Sequence, residues 1–308
     1  MINSVEKGSF KRKESLFRNW ITKDGSAGIS GSGGFTPEKD RYHLYVSLAC
    51  PWANRTLIMR NLKGLQEFIP VTVVHWRMGQ ESWHFEAENG AEEDPLYHAK
   101  FLYELYRKVD PQYEENGGVV TVPLLWDKKN NTVVSNESAE IIRMFNNAFD
   151  NVGAIAGDYY PEALRNDIDA MNDRFYSSIN NGVYRCGFAT TQAAYDIAYQ
   201  ELFSALDYLE NHLKGKYFLV GDQLTESDIR LFVTLIRFDA VYYSHFKCNR
   251  QQLRDFPEIW RYLRELYARE EFKETVNMFH IKHHYYESHP SLNPSGIVPN
   301  GPNINFSL

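Results

Sequence analysis

The thiol of Cys50 is the most reactive side chain that the sequence offers. A β-rich run, Tyr42–Leu48, precedes it, and Pro51 and a helical stretch over Asn54–Leu65 follow. Proline is favoured at the first helical position, so we expect Cys50 at the N-cap of that helix. There the unpaired backbone N–H groups and the positive end of the helix dipole stabilise a thiolate and lower a cysteine pKa from its usual ~8.5. A buried structural cysteine is the alternative, and the order strand, cysteine, proline, helix argues against it.

The sequence provides no local second thiol for Cys50. Ala53 stands where a Cys-x-x-Cys motif has its second cysteine, and Cys186 and Cys248 are far along the chain. A mixed disulfide on Cys50 must therefore be cleared by an external thiol, for which glutathione is the natural candidate. Three widely spaced cysteines do not form a disulfide framework. Because no signal segment or long apolar stretch is present, we expect a cytoplasmic protein in a reducing compartment, without a membrane segment.

The composition suits a packed protein of two domains. The chain has 308 residues, of which 43% are apolar and 15% aromatic, and this length is comfortable for two domains. The net charge of −7 argues against a nucleic-acid partner, which would require a basic face. The one basic cluster, Lys11-Arg12-Lys13, lies in a polar N-terminal arm, where we expect a solvated tail.

The elements around Cys50 predict an α/β domain of the thioredoxin-like type. A strand, a helix and a second strand make a βαβ unit, whose strands pair in parallel. Two further strands and a helix follow after an irregular insertion, residues 78–118, which carries one amphipathic helix. We place this domain at residues 41–150. Its predicted strands are Tyr42–Leu48, Phe68–Trp76, Val119–Trp126 and Asn131–Val134, and its predicted helices are Asn54–Leu65, Ala99–Val109 and Glu137–Asn146.

The second half of the chain is predicted to be helical. No strand pattern interrupts residues 160–282, which indicates an all-α domain. The polar, glycine-rich residues 1–40 predict a flexible arm, and residues 283–308 predict a tail laid over the surface. Thr225 and Asp228 form a capping box with a structural role. The helices are placed at about Pro161–Asn181, Gln192–Leu213, Glu226–Tyr243, Pro257–Arg269 and Glu270–His280.

Two short motifs predict a frame for a peptide-like ligand. Pro123 lies in the third predicted strand, and in thioredoxin-like folds this proline is cis and sits beside the catalytic cysteine. The backbone of Val122 then offers its polar groups to a peptide, as an added strand would. Ser138, at the start of the next helix, can bind a carboxylate, and Glu137 can hold the α-amino group of glutathione. An ordinary helix cap is the alternative for Glu137 and Ser138.

With these features assembled, the sequence resembles the glutathionyl-hydroquinone reductases, the Xi class of glutathione transferases. The similarity spans nearly the whole chain, and motifs in the second domain and the tail select this class. The resemblance implies a thioredoxin-like domain followed by the all-helical domain of glutathione transferases. It is carried by the segments Ser47–Arg55, Asn136–Ser138, Gly182–Phe188, Arg237–Tyr242, His245–Asn249, His284–Pro290 and Asn293–Pro302.

The resemblance implies a reaction in two stages. The Cys50 thiolate attacks the glutathionyl sulfur of a glutathionyl-hydroquinone, which releases hydroquinone and leaves a mixed disulfide. A second glutathione resolves that disulfide and departs as oxidised glutathione. Glutathione is thus the expected co-substrate, glutathionyl-hydroquinones are the expected partners, and a homodimer is implied.

The resemblance also assigns residues to the site. Tyr184 and Tyr285 match the family's active-site tyrosines, whose neutral hydroxyls can donate to the hydroquinone oxygens. Tyr242 and Tyr286 are neighbouring residues expected in the substrate pocket, and the choice between Tyr285 and Tyr286 stays open. Trp83 matches the tryptophan that packs over glutathione.

Other functions compete with this one. A general cysteine-type thiol transferase or a dehydroascorbate reductase would use the same thiol. A conjugating transferase normally uses Ser or Tyr, and Cys50 argues against it. The intact cysteine, proline and Glu-Ser set argues against a non-enzymatic binding module. His280, His283 and His284 have the helical spacing of a metal pair without an acidic ligand beside them, so we expect no metal.

Overall fold

The structure, a computed structural model, describes residues 4–308. They fall into two compact units. The first comprises residues 13–158 and 275–284, and the second comprises the described residues before 13 together with 159–274 and 285–308. Each helix among the described residues is too short or too polar to span a bilayer.

The described residues form six strands and ten α-helices. The strands are β1 (Ser4–Glu6), β2 (Ser9–Lys11), β3 (Tyr42–Val46), β4 (Val71–Val73), β5 (Leu124–Asp127) and β6 (Thr132–Ser135). The helices are α1 (Pro51–Leu62), α2 (Leu102–Val109), α3 (Ser138–Asn147), α4 (Arg165–Phe175), α5 (Gly182–Gly187), α6 (Gln192–His212), α7 (Glu226–Arg237), α8 (Pro257–Tyr267), α9 (Glu270–Lys273) and α10 (Met278–Ser288).

The first unit is built on a four-stranded sheet in the order β4-β3-β5-β6. Strand β3 pairs in parallel with β4, and β5 pairs antiparallel with both β3 and β6. Every residue of β3 is buried, as expected for a strand covered on both faces. Helix α1 packs beside α3. The predicted thioredoxin-like βαβ arrangement is therefore confirmed.

The strands of this sheet are shorter than their apolar runs. The run Phe68–Trp76 contributes only β4, and Val119–Trp126 contributes only β5, which begins immediately after Pro123. Proline has no N–H to donate to a ladder, so pairing starts beyond it. Apolar character extends past both strands because residues such as Ile69, Val74 and Val120 are also buried without belonging to a strand.

The second unit is helical apart from the hairpin of β1 and β2. Helices α4 and α7 each continue into a π-helical turn, Tyr176–Asn180 and Phe238–Tyr242, where one continuous helix was expected. Short π-helical turns often mark functional sites. The capping box at the start of α7 is confirmed: the Thr225 N–H donates to Asp228 Oδ2 at 2.8 Å.

The described part of the N-terminal arm is packed, and the expectation of a flexible arm is wrong. In the first unit the Asn19 N–H donates to the Val134 carbonyl at 2.9 Å, while Trp20, Ile21 and Phe35 are buried. A few apolar side chains are enough to anchor a polar segment when its backbone bonds to a sheet edge. At the other end, α10 extends to Ser288, so the predicted surface tail begins as a helix.

Candidate active site

Cys50 occupies the expected N-cap of α1. Its backbone has extended dihedral angles, φ −74° and ψ 121°, and Pro51 is the first helical residue. Strand β3 is buried, and its end fixes where the helix starts, because the Cys50 N–H donates to the Ser47 carbonyl at 3.1 Å. The side chain is half-buried. The thiol thus lies at the positive end of a twelve-residue helix, which favours the thiolate form.

The segment before β5 lies next to this thiol. The Val122–Pro123 peptide bond is cis, as expected, and the Cys50 Sγ atom lies 3.5 Å from the Val122 carbonyl oxygen. Tyr106 holds the preceding residue: its hydroxyl donates to the Thr121 carbonyl at 2.7 Å. The first unit therefore places the Cys50 sulfur next to the Val122 backbone, which was predicted to pair with a peptide.

Glu137 and Ser138 form the start of α3 in the same unit. Glu137 is the N-cap, and its Oε1 atom accepts from the Ala139 N–H at 3.0 Å. Its Oε2 atom accepts from the Ser15 hydroxyl at 3.1 Å. Because a carboxylate has about four acceptor positions, these two bonds orient Glu137 and leave capacity for an ammonium group. Ser138 is buried at the first helical position.

Trp83 is buried rather than exposed in the insertion. Its ring stacks on His284 with centroids 4.9 Å apart, and His284 Nδ1 lies 2.7 Å from the Trp76 carbonyl oxygen. The imidazole therefore donates from Nδ1 and holds the indole in one orientation. The predicted glutathione-packing tryptophan is thus fixed by α10, which no local sequence pattern indicated.

In the second unit, three tyrosines share one hydrogen-bond network. The Tyr285 hydroxyl lies 2.5 Å from that of Tyr184 and 2.9 Å from that of Tyr242. Burial raises the pKa of Tyr285 and of Tyr242 well above the usual value, so both hydroxyls keep their protons at neutral pH. Tyr184 is less buried than the other two.

Tyr286 belongs to a different set of contacts. Its hydroxyl lies 2.5 Å from Ser244 Oγ and 3.5 Å from the Ala240 carbonyl oxygen. Burial raises its pKa as well. Of the two adjacent tyrosines, it is therefore Tyr285 whose hydroxyl is linked to Tyr184.

Two histidines of the first unit, His75 and His280, have hydrogen-bond partners. Among the described residues, His75, His84 and Glu86 come close enough for a shared metal ion. However, His75 Nδ1 accepts from the Arg77 N–H at 3.0 Å, so the proton of the neutral ring is on Nε2, which faces Glu88 at 3.3 Å. That nitrogen has no lone pair for a metal. His280 lies 2.9 Å from the Asn89 carbonyl oxygen through Nε2.

The two halves of the chain match known domains. Residues 49–148 match the family model described as glutathione S-transferase, N-terminal domain. Residues 192–265 match the model described as glutathione S-transferase, C-terminal domain. The fold and the matches together define a two-domain glutathione transferase.

Individual relatives define the class within that superfamily. The chain is 56% identical over 296 residues to the glutathionyl-hydroquinone reductase YqjG of Escherichia coli, covering 96% of this chain and 89% of the relative. It is 51% identical over 295 residues to the glutathionyl-hydroquinone reductase PcpF of Sphingobium chlorophenolicum, covering 96% and 90%. The chain belongs to the glutathionyl-hydroquinone reductases, the Xi class of glutathione transferases.

Solved structures give the same result. The glutathione-bound structure of YqjG superposes with a TM-score of 0.93 at 55% identity, covering 95% of this chain and 94% of that one. The Xi glutathione transferase of Phanerochaete chrysosporium superposes with a TM-score of 0.92 at 52% identity, covering 99% and 96%.

Sequence reasoning missed one residue beside the tyrosine network. The guanidinium carbon of Arg12 lies 4.9 Å from the centroid of the Tyr184 ring, whereas Arg12 was placed in a solvated tail. Phe10, a large apolar residue two positions earlier, is buried. Its apolar side chain is the feature of the sequence that could have indicated that this stretch packs against the protein.

The burial of the three cysteines predicts selective alkylation. Cys186 and Cys248 are 2% and 0% exposed, whereas Cys50 is half-buried at a helix N-terminus. Iodoacetamide should therefore modify one thiol per native chain, with a rate that reaches half its plateau below pH ~8.5. Mass spectrometry of peptides identifies the site, and Cys50→Ser should abolish the fast phase. Comparable labelling of all three thiols would contradict the protection of Cys186 and Cys248 by burial. A midpoint at ~8.5 would contradict stabilisation of the Cys50 thiolate by the helix N-terminus.

Proposed function

We propose that this protein is a glutathione-dependent oxidoreductase that reduces glutathionyl-hydroquinones to hydroquinones. Membership of the family supports the reaction. The observation that supports the mechanism most directly is the position of Cys50 Sγ, at the N-terminus of α1 and 3.5 Å from the Val122 carbonyl oxygen. This places a nucleophilic sulfur beside a backbone edge suited to a glutathione-like peptide.

In the first stage the Cys50 thiolate attacks the sulfur of the thioether. An S–S bond forms between Cys50 and glutathione, and the bond between that sulfur and the aromatic carbon breaks. The carbon takes the bonding electron pair and a proton, and the product is the free hydroquinone. The thioether is thus reduced at carbon while the two sulfurs are oxidised to a mixed disulfide.

The aromatic carbon is the difficult leaving group. Hydrogen bonds to the hydroquinone oxygens help because they favour a keto-like tautomer and stabilise the developing charge. We assign these bonds to Tyr184 and Tyr285, with Tyr242 holding Tyr285 through its hydroxyl. Burial keeps the Tyr285 proton in place, as a donor requires.

In the second stage a glutathione thiolate attacks the mixed disulfide. Oxidised glutathione leaves and the Cys50 thiolate is restored, so the net reaction consumes one glutathione for each thioether. Ala53 stands at the position of the second cysteine of a Cys-x-x-Cys motif. No neighbouring thiol of that motif therefore competes with the second glutathione for the mixed disulfide.

We assign glutathione binding to the predicted frame. The Val122 backbone, before Pro123, would pair with the peptide, and Glu137 and Ser138 at the start of α3 would hold its charged amino-acid end. Trp83, held by His284, would pack over the ligand.

Two wider expectations remain part of the proposal. A reducing compartment such as the cytoplasm suits a working thiolate. A homodimer is supported by the family resemblance, and light scattering should give about twice the 35.9 kDa mass of one chain. A mass equal to one chain at micromolar concentration would contradict it.

Replacement of the nucleophile tests the reaction. Wild-type protein with excess glutathione should release hydroquinone from a glutathionyl-hydroquinone, and Cys50→Ser should abolish turnover because a serine hydroxyl cannot form the mixed disulfide. The measurement is steady-state release of free hydroquinone. Cys186→Ser is the matched control and should retain activity if it folds.

The alternatives give different results in the same assay. No turnover by the wild type, together with reduction of dehydroascorbate or a small mixed disulfide, would replace the proposed function by those activities. Conjugating activity in Cys50→Ser would identify a latent transferase site.

The hydroxyl network predicts unequal effects of two adjacent substitutions. Tyr285→Phe removes the hydroxyl that is linked to both Tyr184 and Tyr242, so kcat on a glutathionyl-hydroquinone should fall by roughly 10²-fold or more. Tyr286→Phe removes the contacts with Ser244 and the Ala240 carbonyl, which lie outside this network, and should cost less than about fivefold. Initial rates at saturating substrate provide the comparison. Equal losses in the two variants would show that the network does not select Tyr285.

A further inference from the structure

The hairpin of β1 and β2 docks onto the helix that carries Tyr184. Strand β2 lies against α5, and the Gly8 carbonyl accepts from the Thr190 N–H at 3.0 Å. Phe10 is 6% exposed, and its ring stacks on Tyr184 and Phe188 with centroids 6.1 and 5.5 Å apart. The hairpin therefore covers part of the Tyr184 side chain.

Arg12 follows β2 and contacts both α5 and the residue immediately before it. Its guanidinium carbon lies 4.9 Å from the Tyr184 ring centroid. Its Nε–H donates to Asn181 Oδ1 at 3.0 Å. Asn181 is 8% exposed and immediately precedes α5, so this bond fixes the guanidinium relative to the start of the helix.

A cation beside a phenol ring changes the chemistry of its hydroxyl. The charge is attracted to the electron-rich face of the ring, and it stabilises negative charge that develops on the ring oxygen. A hydroxyl that shares its proton with a reacting oxygen becomes a stronger donor in this environment. The planar guanidinium can stack and donate together, which an ammonium group cannot do.

We propose that Arg12 is a positioning residue for the reductase reaction, which orients Tyr184 and strengthens its hydroxyl as a donor. The inference rests on the proposed function. Arg12, which follows the N-terminal hairpin, would then assist the step in which the aromatic carbon leaves. It would have no role in thiol–disulfide exchange, because a departing thiolate needs no hydroxyl donor.

Two substrates separate this role from a merely structural one. Arg12→Met keeps a long apolar stem and removes the charge. Its kcat on a glutathionyl-hydroquinone should fall roughly three- to tenfold, while reduction of the mixed disulfide of glutathione and 2-mercaptoethanol stays within about twofold of wild type. Arg12→Lys should fall between wild type and Arg12→Met, because it restores charge without the Nε contact.

Lys11→Met is the matched control, since it removes one positive charge from the exposed residue that immediately precedes Arg12. It should leave both activities unchanged. Wild-type kcat in Arg12→Met, or an equal loss from Lys11→Met, would overturn the inference. A parallel loss of both activities in Arg12→Met would also overturn it, because that pattern indicates damage to the fold.

A double-mutant cycle with Tyr184→Phe decides whether Arg12 acts through Tyr184. In the Tyr184→Phe background, Arg12→Met should cost less than about twofold. The same three- to tenfold loss in both backgrounds would overturn the inference and leave the proposed function intact. Absence of wild-type turnover on the glutathionyl-hydroquinone would instead overturn the proposed function, and this inference with it.

Discussion

The proposed chemistry of this protein depends on the junction where β3 ends and α1 begins. The buried strand fixes the position of Cys50, and the helix that starts at Pro51 supplies the electrostatic environment of its sulfur. Beyond the first turn of α1, the backbone N–H groups are already bonded within the helix, so a thiol placed there would lack free N–H groups to stabilise its thiolate. The neighbouring Val122 carbonyl, 3.5 Å from Sγ, shows that the same junction also aligns the backbone proposed to bind glutathione.

The tyrosine network presents a second, different constraint. A buried hydroxyl without a partner is costly. At 1% exposure the Tyr285 hydroxyl lies within hydrogen-bond distance of the hydroxyls of Tyr184 and of Tyr242, which is itself 0% exposed. The same burial that requires these bonds raises the pKa of both phenols. Burial is therefore the common cause of two properties: the two phenols need hydrogen-bond partners, and they keep the protons that a donor requires.

Much of the fold and part of the site could be predicted from the sequence, because they are local. Cys50 and Pro51 mark a helix start, Thr225 and Asp228 cap α7, and apolar runs mark the strands of the sheet. The pairing of Tyr285 with Tyr184 depends on residues 101 positions apart, and no local pattern distinguishes it from Tyr286. Arg12 was misplaced for the same reason: its partner Asn181 is 169 positions away, and composition alone favoured a solvated arm.

The two stages of the proposed reaction make different demands on the protein. Attack on a disulfide expels a thiolate, which is stable in water at moderate pH and requires only a good sulfur nucleophile. Attack on the sulfur of a thioether expels carbon, which requires a proton and relief of developing charge. In the proposed reaction, the glutathione thiolate in the frame of the first unit meets the first demand, and Cys50 is the thiolate that it expels. The second requires donors such as the tyrosines of the second unit. A chain with the first set alone would exchange disulfides, so the proposal makes the tyrosine network responsible for reduction at carbon.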